Sequence, residues 1–139
     1  MKLISKKICM AKDIGIHNNL FGGTLMEWID EAAAAFATEY CFTPNMVTLR
    51  VGELLFKKPV KTGNHIRIYG EVVALGNTSI NIRIEVKKYN LYSGEETTVC
   101  LTNTTFVRID DDGTPTPIGE TVRKLHQERV AREGAAVAG

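Results

Sequence analysis

The strongest structural signal in the chain lies in residues 23–41, GTLMEWIDEAAAAFATEYC. Alanine, leucine, methionine and glutamate dominate this stretch, and all four favour a helix. Thr24 and Glu27 have the spacing of a capping box, which predicts Thr24 as the N-cap. The apolar side chains fall on one side at helical spacing: Leu25, Ile29, Ala32, Ala33 and Phe36. Because four consecutive alanines let another backbone approach closely, we expect this helix to be buried inside a curled sheet.

Strand patterns lie on both sides of this helix. A short strand is predicted before it in residues 2–10, and four longer strands are predicted after it: 46–56, 64–75, 79–92 and 95–109. The third of these, SINIRIEVKKYNLY, alternates apolar and polar residues, as a strand with one buried face does. Because short connections join the four strands, we expect an antiparallel meander, with a bulge at Gly52.

These elements together predict an α+β fold in which a curved antiparallel sheet wraps one long helix. Residues 119–133 predict a further, polar helix near the C-terminus. The length of 139 residues fits one domain, and no linker or internal repeat divides the chain. We therefore expect residues 1–139 to form one domain that ends in a polar helix and tail, residues 119–139.

Composition and charge exclude several classes of protein. A net charge of +1 argues against a basic nucleic-acid binder. No apolar run approaches the roughly 18 residues of a membrane-spanning helix. Lysines interrupt the N-terminus, MKLISKKICMAK, where a signal peptide needs an apolar stretch. We therefore expect a cytoplasmic protein that binds neither nucleic acid nor membrane.

The three cysteines, Cys9, Cys41 and Cys100, are odd in number and widely spaced, and they form no CxxC pair. This pattern argues against a disulfide framework and against a zinc site, and it favours reduced thiols. A Cys-His-Asp hydrolase is an alternative, although nothing around these cysteines resembles the surroundings of a catalytic nucleophile.

The segment that leads into the long helix has the residue types of a site. Gly22 and Gly23 let a backbone come close to a ligand, and a helix N-terminus offers unpaired N–H groups and a positive dipole end. Such groups can hold an oxyanion or polarise a carbonyl. The alternative is a plain loop that leads into a helix. His17, in the same segment, is either a polar site residue or a loop residue that makes hydrogen bonds.

Asp30 lies seven residues after Gly23, about two helical turns along nearly the same face. Met26 and Ala33 flank it on that face, so its carboxylate should be partly desolvated. Such a carboxylate suits a general base or a nucleophile. The alternative is a buried aspartate that makes structural hydrogen bonds.

Three segments resemble hotdog-fold acyl-CoA thioester hydrolases, in the branch of bacterial acyl-CoA thioesterases and the cytosolic brain-type acyl-CoA hydrolase. Residues 21–32, FGGTLMEWIDEA, resemble the family motif FGG-x4-W-x-DE. Residues 47–72, VTLRVGELLFKKPVKTGNHIRIYGEV, are similar to a family segment that begins with VT and contains F-x-x-P. Residues 72–86, VVALGNTSINIRIEV, resemble the family's G-x-[ST]-S start of a strand. The similarity covers roughly residues 5–118.

The resemblance implies hydrolysis of acyl-CoA to a fatty acid and CoA, without a metal or other cofactor. It implies Asp30 as the catalytic aspartate and Asn19 as the asparagine that one branch uses. Gly22 and Gly23 are further candidate catalytic residues, because the N–H groups at the helix start can polarise the carbonyl. It also implies CoA-binding residues, which are Lys57, Lys58, Pro59, Gly76, Asn77, Thr78 and Ser79. His17 and Phe21, in the segment before the helix, are further candidate substrate-binding residues. The lysine pair suits the phosphates of CoA, because two neighbouring cations attract a polyanion.

The position of Asp30 predicts a site that two chains share. Asp30 lies roughly 10 Å beyond Gly23 along the helix, too far for both to contact one carbonyl at about 3 Å. We therefore expect a two-fold dimer in which Asp30 of one chain faces the loop 19–23 of the other. Open sheet edges invite such pairing, and the resemblance implies a further assembly into a hexamer. Asp30 then either activates water or attacks the carbonyl to give a mixed anhydride.

Two other functions are alternatives. One is a hotdog-fold dehydratase that acts on acyl-carrier-protein thioesters, for which His17 is the candidate catalytic histidine. The other is a non-catalytic regulator that binds acyl-CoA and tolerates the loss of Asp30. The presence of Asp30 favours the thioesterase.

Overall fold

The computed structural model describes residues 1–138. Its strands and α-helices are, in chain order, β1 Lys2–Ile8, α1 Gly22–Cys41, β2 Met46–Val51, β3 Leu55–Phe56, β4 His65–Leu75, β5 Ser79–Tyr89, β6 Glu96–Arg108 and α2 Glu120–Ala138. Two short 3-10 turns, Ala11–Asp13 and Ile16–Asn18, connect β1 to α1. The predicted elements are confirmed to within a few residues at most of their ends. The last residue of the tail predicted at 119–139 lies outside the described residues.

The strands form one antiparallel sheet in the order β1-β4-β5-β6-β2, and β3 pairs with β6. The predicted meander is confirmed for β4, β5 and β6, but it is wrong for β2, which pairs with β6 and not with β4. The segment 57–64 connects β3, which pairs with β6, to β4, which lies next to β1. On its way it runs beside the residues that precede α1. Leu20 N donates to Val60 O at 2.8 Å, and Cys9 N donates to Asn64 O at 2.9 Å. As a result, β1 and β2 are the two edges of the sheet.

The core lies between α1 and the sheet that wraps it. The predicted apolar stripe of α1 is buried, apart from Phe36, which is half-buried. The inner face of the sheet contributes side chains that are fully buried, namely Ile66, Ile68, Ile80, Ile82, Ile84, Val86 and Phe106. Each such side chain stabilises the fold by about 1.5–3 kcal/mol when it leaves water. The predicted α+β architecture, a helix wrapped by a curved antiparallel sheet, is confirmed.

The start of α1 differs from the prediction, because its N-cap is Phe21 and not Thr24. The loop before the helix fixes this start: Phe21 N donates to Asp13 O at 2.9 Å, and Leu25 N then donates to Phe21 O at 3.1 Å. Within the described chain, no side chain caps the start of α1. Its first N–H groups, from Gly22 onward, are therefore available to a ligand.

Gly52 separates β2 from β3, so the predicted strand 46–56 is two strands, and Gly52 is not the bulge. Its N–H donates to Asn103 O at 2.7 Å, and a Cβ on Gly52 would lie 3.0 Å from that oxygen. The absence of a side chain thus lets the backbone lie close to β6. The irregularity in β2 falls between Thr48 and Arg50.

The predicted polar helix near the C-terminus is confirmed as α2, which packs on the body of the protein. Val122 is buried, and the hydroxyl of Tyr40 lies 2.7 Å from Nδ1 of His126. The guanidinium of Arg129 lies 4.5 Å from the centre of the Tyr40 ring. Neither α1 nor α2, over its described residues, is long and apolar enough to cross a membrane.

Candidate active site

The loop that precedes α1 folds back on itself. Gly15 N donates to Asn19 O at 2.8 Å across this loop. His17 and Asn18 adopt positive φ angles of 59° and 56°, a region that non-glycine residues rarely occupy. Surrounding contacts must hold such a conformation, and conformations of this kind cluster at functional sites.

The N-terminus of α1 presents backbone N–H groups and the positive end of the helix dipole. Gly23 lies beneath the ring of Phe21, since a Cβ on Gly23 would meet Phe21 Cε1 at 2.8 Å. Gly22 lines a groove beside the helix start. Because Gly22 has no side chain and lines the groove, an oxygen atom of a ligand can approach the backbone at the helix start.

This groove has a volume of about 500 Å³. Its rim consists of Asn19, Gly22, Phe56, Lys57, Lys58 and Pro59. Apolar side chains such as Leu25 and Val99 are buried beneath it. Lys57 and Lys58 are exposed, and they bring two positive charges to the rim. The groove therefore suits a ligand that combines a polarisable carbonyl with an anionic part.

Asp30 is half-buried on α1 and is not part of the groove. Thr48 Oγ1, on β2, donates to Asp30 Oδ1 at 2.8 Å. Asp30 follows Gly22 by eight residues, which corresponds to about 12 Å along the helix axis. Within one protomer, the carboxylate and the helix start therefore cannot both contact one carbonyl group at about 3 Å.

The turn Gly76–Ser79 lies at the far end of the sheet from the groove. Its last residue pairs with Val107 on β6, whereas Lys57 N donates to Val99 O on the same strand. Eight residues of strand span about 26 Å. Arg123 of α2 holds the turn, because its Nη2 donates at 2.7 Å to the carbonyls of the turn's first two residues. The two segments expected to bind CoA thus do not meet within one protomer.

Two residues that contact the candidate site were not predicted from the sequence. Thr48, which bonds to Asp30, belongs to the VT pair of the second resembling segment, and that pair was the available signal. Lys61 Nζ donates to Asn19 Oδ1 and, at 3.3 Å, to the carbonyl oxygen of His17. No pattern in the sequence signals this contact, because it joins residues 42 positions apart.

Cys9, Cys41 and Cys100 are buried and form no disulfide within the described chain. Burial raises the pKa of the Cys9 and Cys41 thiols above its ordinary value and raises the pKa of Cys100 to about 11. Neutral, buried thiols are poor nucleophiles, so the geometry does not favour the Cys-His-Asp alternative. Among residues 1–138, no group of three or more His, Cys, Asp or Glu side chains is arranged to hold a metal ion.

The edge strand β2 and the adjoining face of α1 expose large apolar side chains. Met26, Val47 and Leu49 are 45%, 42% and 67% exposed. An unpaired edge with apolar residues pairs readily with another chain. Met26 lies one turn before Asp30 on the same helix face, so a second copy that covers this surface would also approach the Asp30 carboxylate.

The sequence matches the thioesterase superfamily over residues 17–94. It is similar to the acyl-CoA thioester hydrolase YciA of Salmonella typhimurium, with 32% identity over 120 residues, or 84% of this chain and 90% of that protein.

Two solved structures are similar in fold. Cj0915 of Campylobacter jejuni, a hexameric hotdog fold thioesterase, gives a TM-score of 0.79 at 33% identity, over 91% of this chain and 97% of that chain. The acyl-CoA hydrolase of Staphylococcus aureus, in complex with butyryl-CoA, CoA and CoA disulfide, gives a TM-score of 0.78 at 26% identity. That comparison covers 96% of this chain and 87% of the other.

Proposed function

Because the chain belongs to the thioesterase superfamily and has the hotdog fold, we propose that it hydrolyses acyl-CoA thioesters to a carboxylic acid and CoA. The observation that carries this proposal is the uncapped start of α1 beside a groove rimmed by Lys57 and Lys58. The helix start suits the thioester carbonyl, and the lysines suit the phosphates of CoA. The named activity of YciA and the butyryl-CoA complex of the Staphylococcus aureus hydrolase support the same substrate class.

In the proposed reaction, the thioester carbonyl oxygen accepts hydrogen bonds from the N–H groups of Gly22 and Gly23. Negative charge develops on this oxygen as the tetrahedral intermediate forms, and the helix dipole stabilises it. These donors belong to the backbone of a packed helix, so they need little reorganisation during the reaction. The loss of one such donor typically lowers kcat by about 10²–10³.

Asp30 acts from the partner protomer. A two-fold axis beside β2 would extend the sheet across the dimer and bring Asp30 of each chain towards the helix start of the other. Each dimer then has two equal sites. The apolar residues exposed along β2 support this arrangement, since a partner would bury them. The hydrogen bond from Thr48 holds the Asp30 carboxylate at this interface.

The carboxylate of Asp30 can promote hydrolysis by two routes. As a general base, it takes a proton from a water molecule whose oxygen bonds to the carbonyl carbon, and the C–S bond then breaks to release the CoA thiolate. As a nucleophile, it bonds to the carbonyl carbon itself and displaces the CoA thiolate, and water then hydrolyses the mixed anhydride. Both routes give one acid and one thiol for each thioester.

Asn19 helps to position either the carbonyl or the attacking water, and its place on the groove rim with Gly22 supports this role. The Staphylococcus aureus hydrolase has variants in which an asparagine and an aspartate, 15 residues apart, are each replaced by alanine. In this chain Asn19 precedes Asp30 by 11 residues. The support for Asn19 is therefore its place in the groove, and not its spacing from Asp30.

Lys57, Lys58 and Pro59 bind CoA at the groove. The turn Gly76–Ser79 lies about 26 Å away in the same protomer, so it would contact CoA bound to a neighbouring protomer. We expect this neighbour within an assembly of three dimers, a hexamer, because the similar Cj0915 is hexameric. We expect the enzyme to act in the cytoplasm.

The alternatives receive less support. A dehydratase would use His17, but this residue is exposed on the loop, and its backbone carbonyl rather than its ring bonds to Lys61. A regulator without activity has no need of Asp30, which here carries a hydrogen bond that orients its carboxylate.

Thiol release from acyl-CoAs of increasing chain length, acetyl-CoA to palmitoyl-CoA, tests the proposal. The wild-type protein should release one thiol and one acid per turnover. Asp30→Asn keeps the side-chain shape but loses the base, so kcat should fall by about 10²–10⁴, with an unchanged melting temperature. Glu31→Gln, at the adjacent exposed carboxylate, should keep wild-type kcat. Absence of thiol release with every acyl-CoA, or near-normal kcat in a folded Asp30→Asn protein, would contradict the proposal.

A further inference from the structure

Lys61 lies in the crossing segment, residues 57–64, and its side chain reaches the loop before α1. Its ammonium donates to Asn19 Oδ1 and to the carbonyl oxygen of His17. A small turn fixes the lysine backbone: Lys61 N donates to Asn64 Oδ1 at 2.8 Å, and Asn64 N donates to Lys61 O at 3.1 Å. The ammonium thus ties the loop to a fixed point on the crossing segment.

The contact with Lys61 determines which way the Asn19 amide faces. An ammonium has only donors, whereas an asparagine amide has a carbonyl oxygen that accepts and an NH2 group that donates. The atom of Asn19 that faces Lys61 must therefore be Oδ1, and the NH2 group is left for a ligand. Because Asn19 and Gly22 both line the groove, this NH2 group adds a side-chain donor to the N–H groups of the helix start.

The second bond of the ammonium holds the backbone of the same loop. His17 and Asn18 have positive φ angles, and such a conformation persists only where surrounding contacts fix it. The bond from Lys61 to the carbonyl oxygen of His17 is one of these contacts. A single side chain therefore fixes both the backbone of the loop and the orientation of the amide.

We propose that Lys61 is a positioning residue that makes the Asn19 NH2 group a donor to the thioester carbonyl oxygen. This inference rests on the proposed hydrolysis and deepens it, because it assigns Asn19 to the carbonyl and not to the attacking water. Lys61 acts through Asn19. Its own charge is directed at the amide and the loop.

The test measures kcat and KM for butyryl-CoA. Lys61→Met keeps the aliphatic stem but loses the donor, so kcat should fall by about tenfold to a hundredfold, the scale of a misplaced catalytic group. KM should change by less than about threefold, because the binding lysines remain. Lys61→Arg retains donors and charge and should restore kcat to within about threefold of the wild type. In an Asn19→Ala background, Lys61→Met should cause no further loss.

Lys88→Met is a matched control, since the Lys88 ammonium also donates to a carbonyl of the crossing segment, Pro59 O at 3.1 Å. It should leave kcat unchanged. If Lys61→Met raises KM and leaves kcat intact, the lysine only attracts CoA and the inference is wrong. If Lys61→Met lowers kcat by the same factor in the wild type and in the Asn19→Ala variant, the inference is also wrong.

One further variant, Lys61→Gln, and the Asn19→Ala single variant keep the outcomes separable. Lys61→Gln removes the charge and brings an amide that both donates and accepts, so the Asn19 amide is no longer held in one orientation and kcat should fall; this variant replaces Lys61→Met if the latter does not fold. A Lys61→Gln protein with wild-type kcat would refute the positioning role. If Asn19→Ala is impaired while Lys61→Met is normal, only the positioning role fails. If Asn19→Ala itself has wild-type kcat, the proposed role of Asn19 fails as well.

Discussion

The unpaired edge of β2 allows the strength of the proposed dimer to be tested at Leu49. Its side chain is 67% exposed in the protomer, at the irregularity between Thr48 and Arg50. Leu49→Ala removes three carbon groups, each worth about 0.8 kcal/mol when buried. Because about two-thirds of the side chain remains for a partner to cover, we expect a loss of ~1.6 kcal/mol per protomer. The two-fold interface contains the residue twice, so the loss of ~3 kcal/mol should raise the dimer Kd roughly a hundredfold.

Sedimentation velocity over a dilution series measures this Kd, and kcat measured over the same series shows whether a monomer is active. The activity of Leu49→Ala should fall upon dilution at concentrations where the wild type remains constant, because the proposed site needs both chains. Leu91→Ala is the control, since Leu91 is 60% exposed on the turn between β5 and β6, away from β2. If Leu49→Ala dissociates no more readily than Leu91→Ala, the assignment of β2 to the interface is wrong.

Three other predictions concern the thiols, the docking of α2 and the orientation of Asp30. The folded-state pKa of Cys100 is raised from 9.0 to about 11, so its contribution to stability is complete below pH 9 and lost as pH rises through about 11. Chemical denaturation should therefore show the stability difference between wild type and Cys100→Ala shrinking by up to about 3 kcal/mol over this range. Arg123→Met should lower the unfolding free energy by about 2 kcal/mol through the loss of two charge-assisted bonds, whereas Lys124→Met on the same helix should not, as thermal melts can check. Thr48→Val should lower kcat about tenfold by releasing the Asp30 carboxylate, and Thr48→Ser should retain activity, because a hydrogen bond to a charged group contributes about 1.5 kcal/mol.

The elements of the fold could be predicted because their signals are local. The period of 3.6 residues in residues 23–41 and the alternation in residues 79–92 each reflect one buried face. The position of β2 could not be predicted in the same way, since it depends on where the segment 57–64 crosses the sheet. That path is set by tertiary bonds such as the one from Leu20 to Val60, which leave no periodic trace.

The start of α1 was mispredicted because a local pattern competed with a tertiary contact. Thr24 and Glu27 have capping spacing, but the bond from Phe21 to Asp13 places the first helical residue three positions earlier than a Thr24 cap would allow. At the candidate site, too, a contact between distant parts of the chain could not be predicted from a local pattern. Asp30 could be identified from its place on the helix, whereas the side chain that orients it, Thr48, lies on another element.

The most direct test of the shared site is subunit mixing between two strongly impaired variants, Asn19→Ala and Asp30→Asn. In a mixed dimer, one site receives both defects and the other receives neither. With random exchange, about half of the dimers are mixed, so about a quarter of wild-type thiol release should return. Native mass spectrometry must confirm that the chains have exchanged. If exchange is complete and no activity returns, Asn19 and Asp30 serve one site from the same chain, and the two-chain site is wrong.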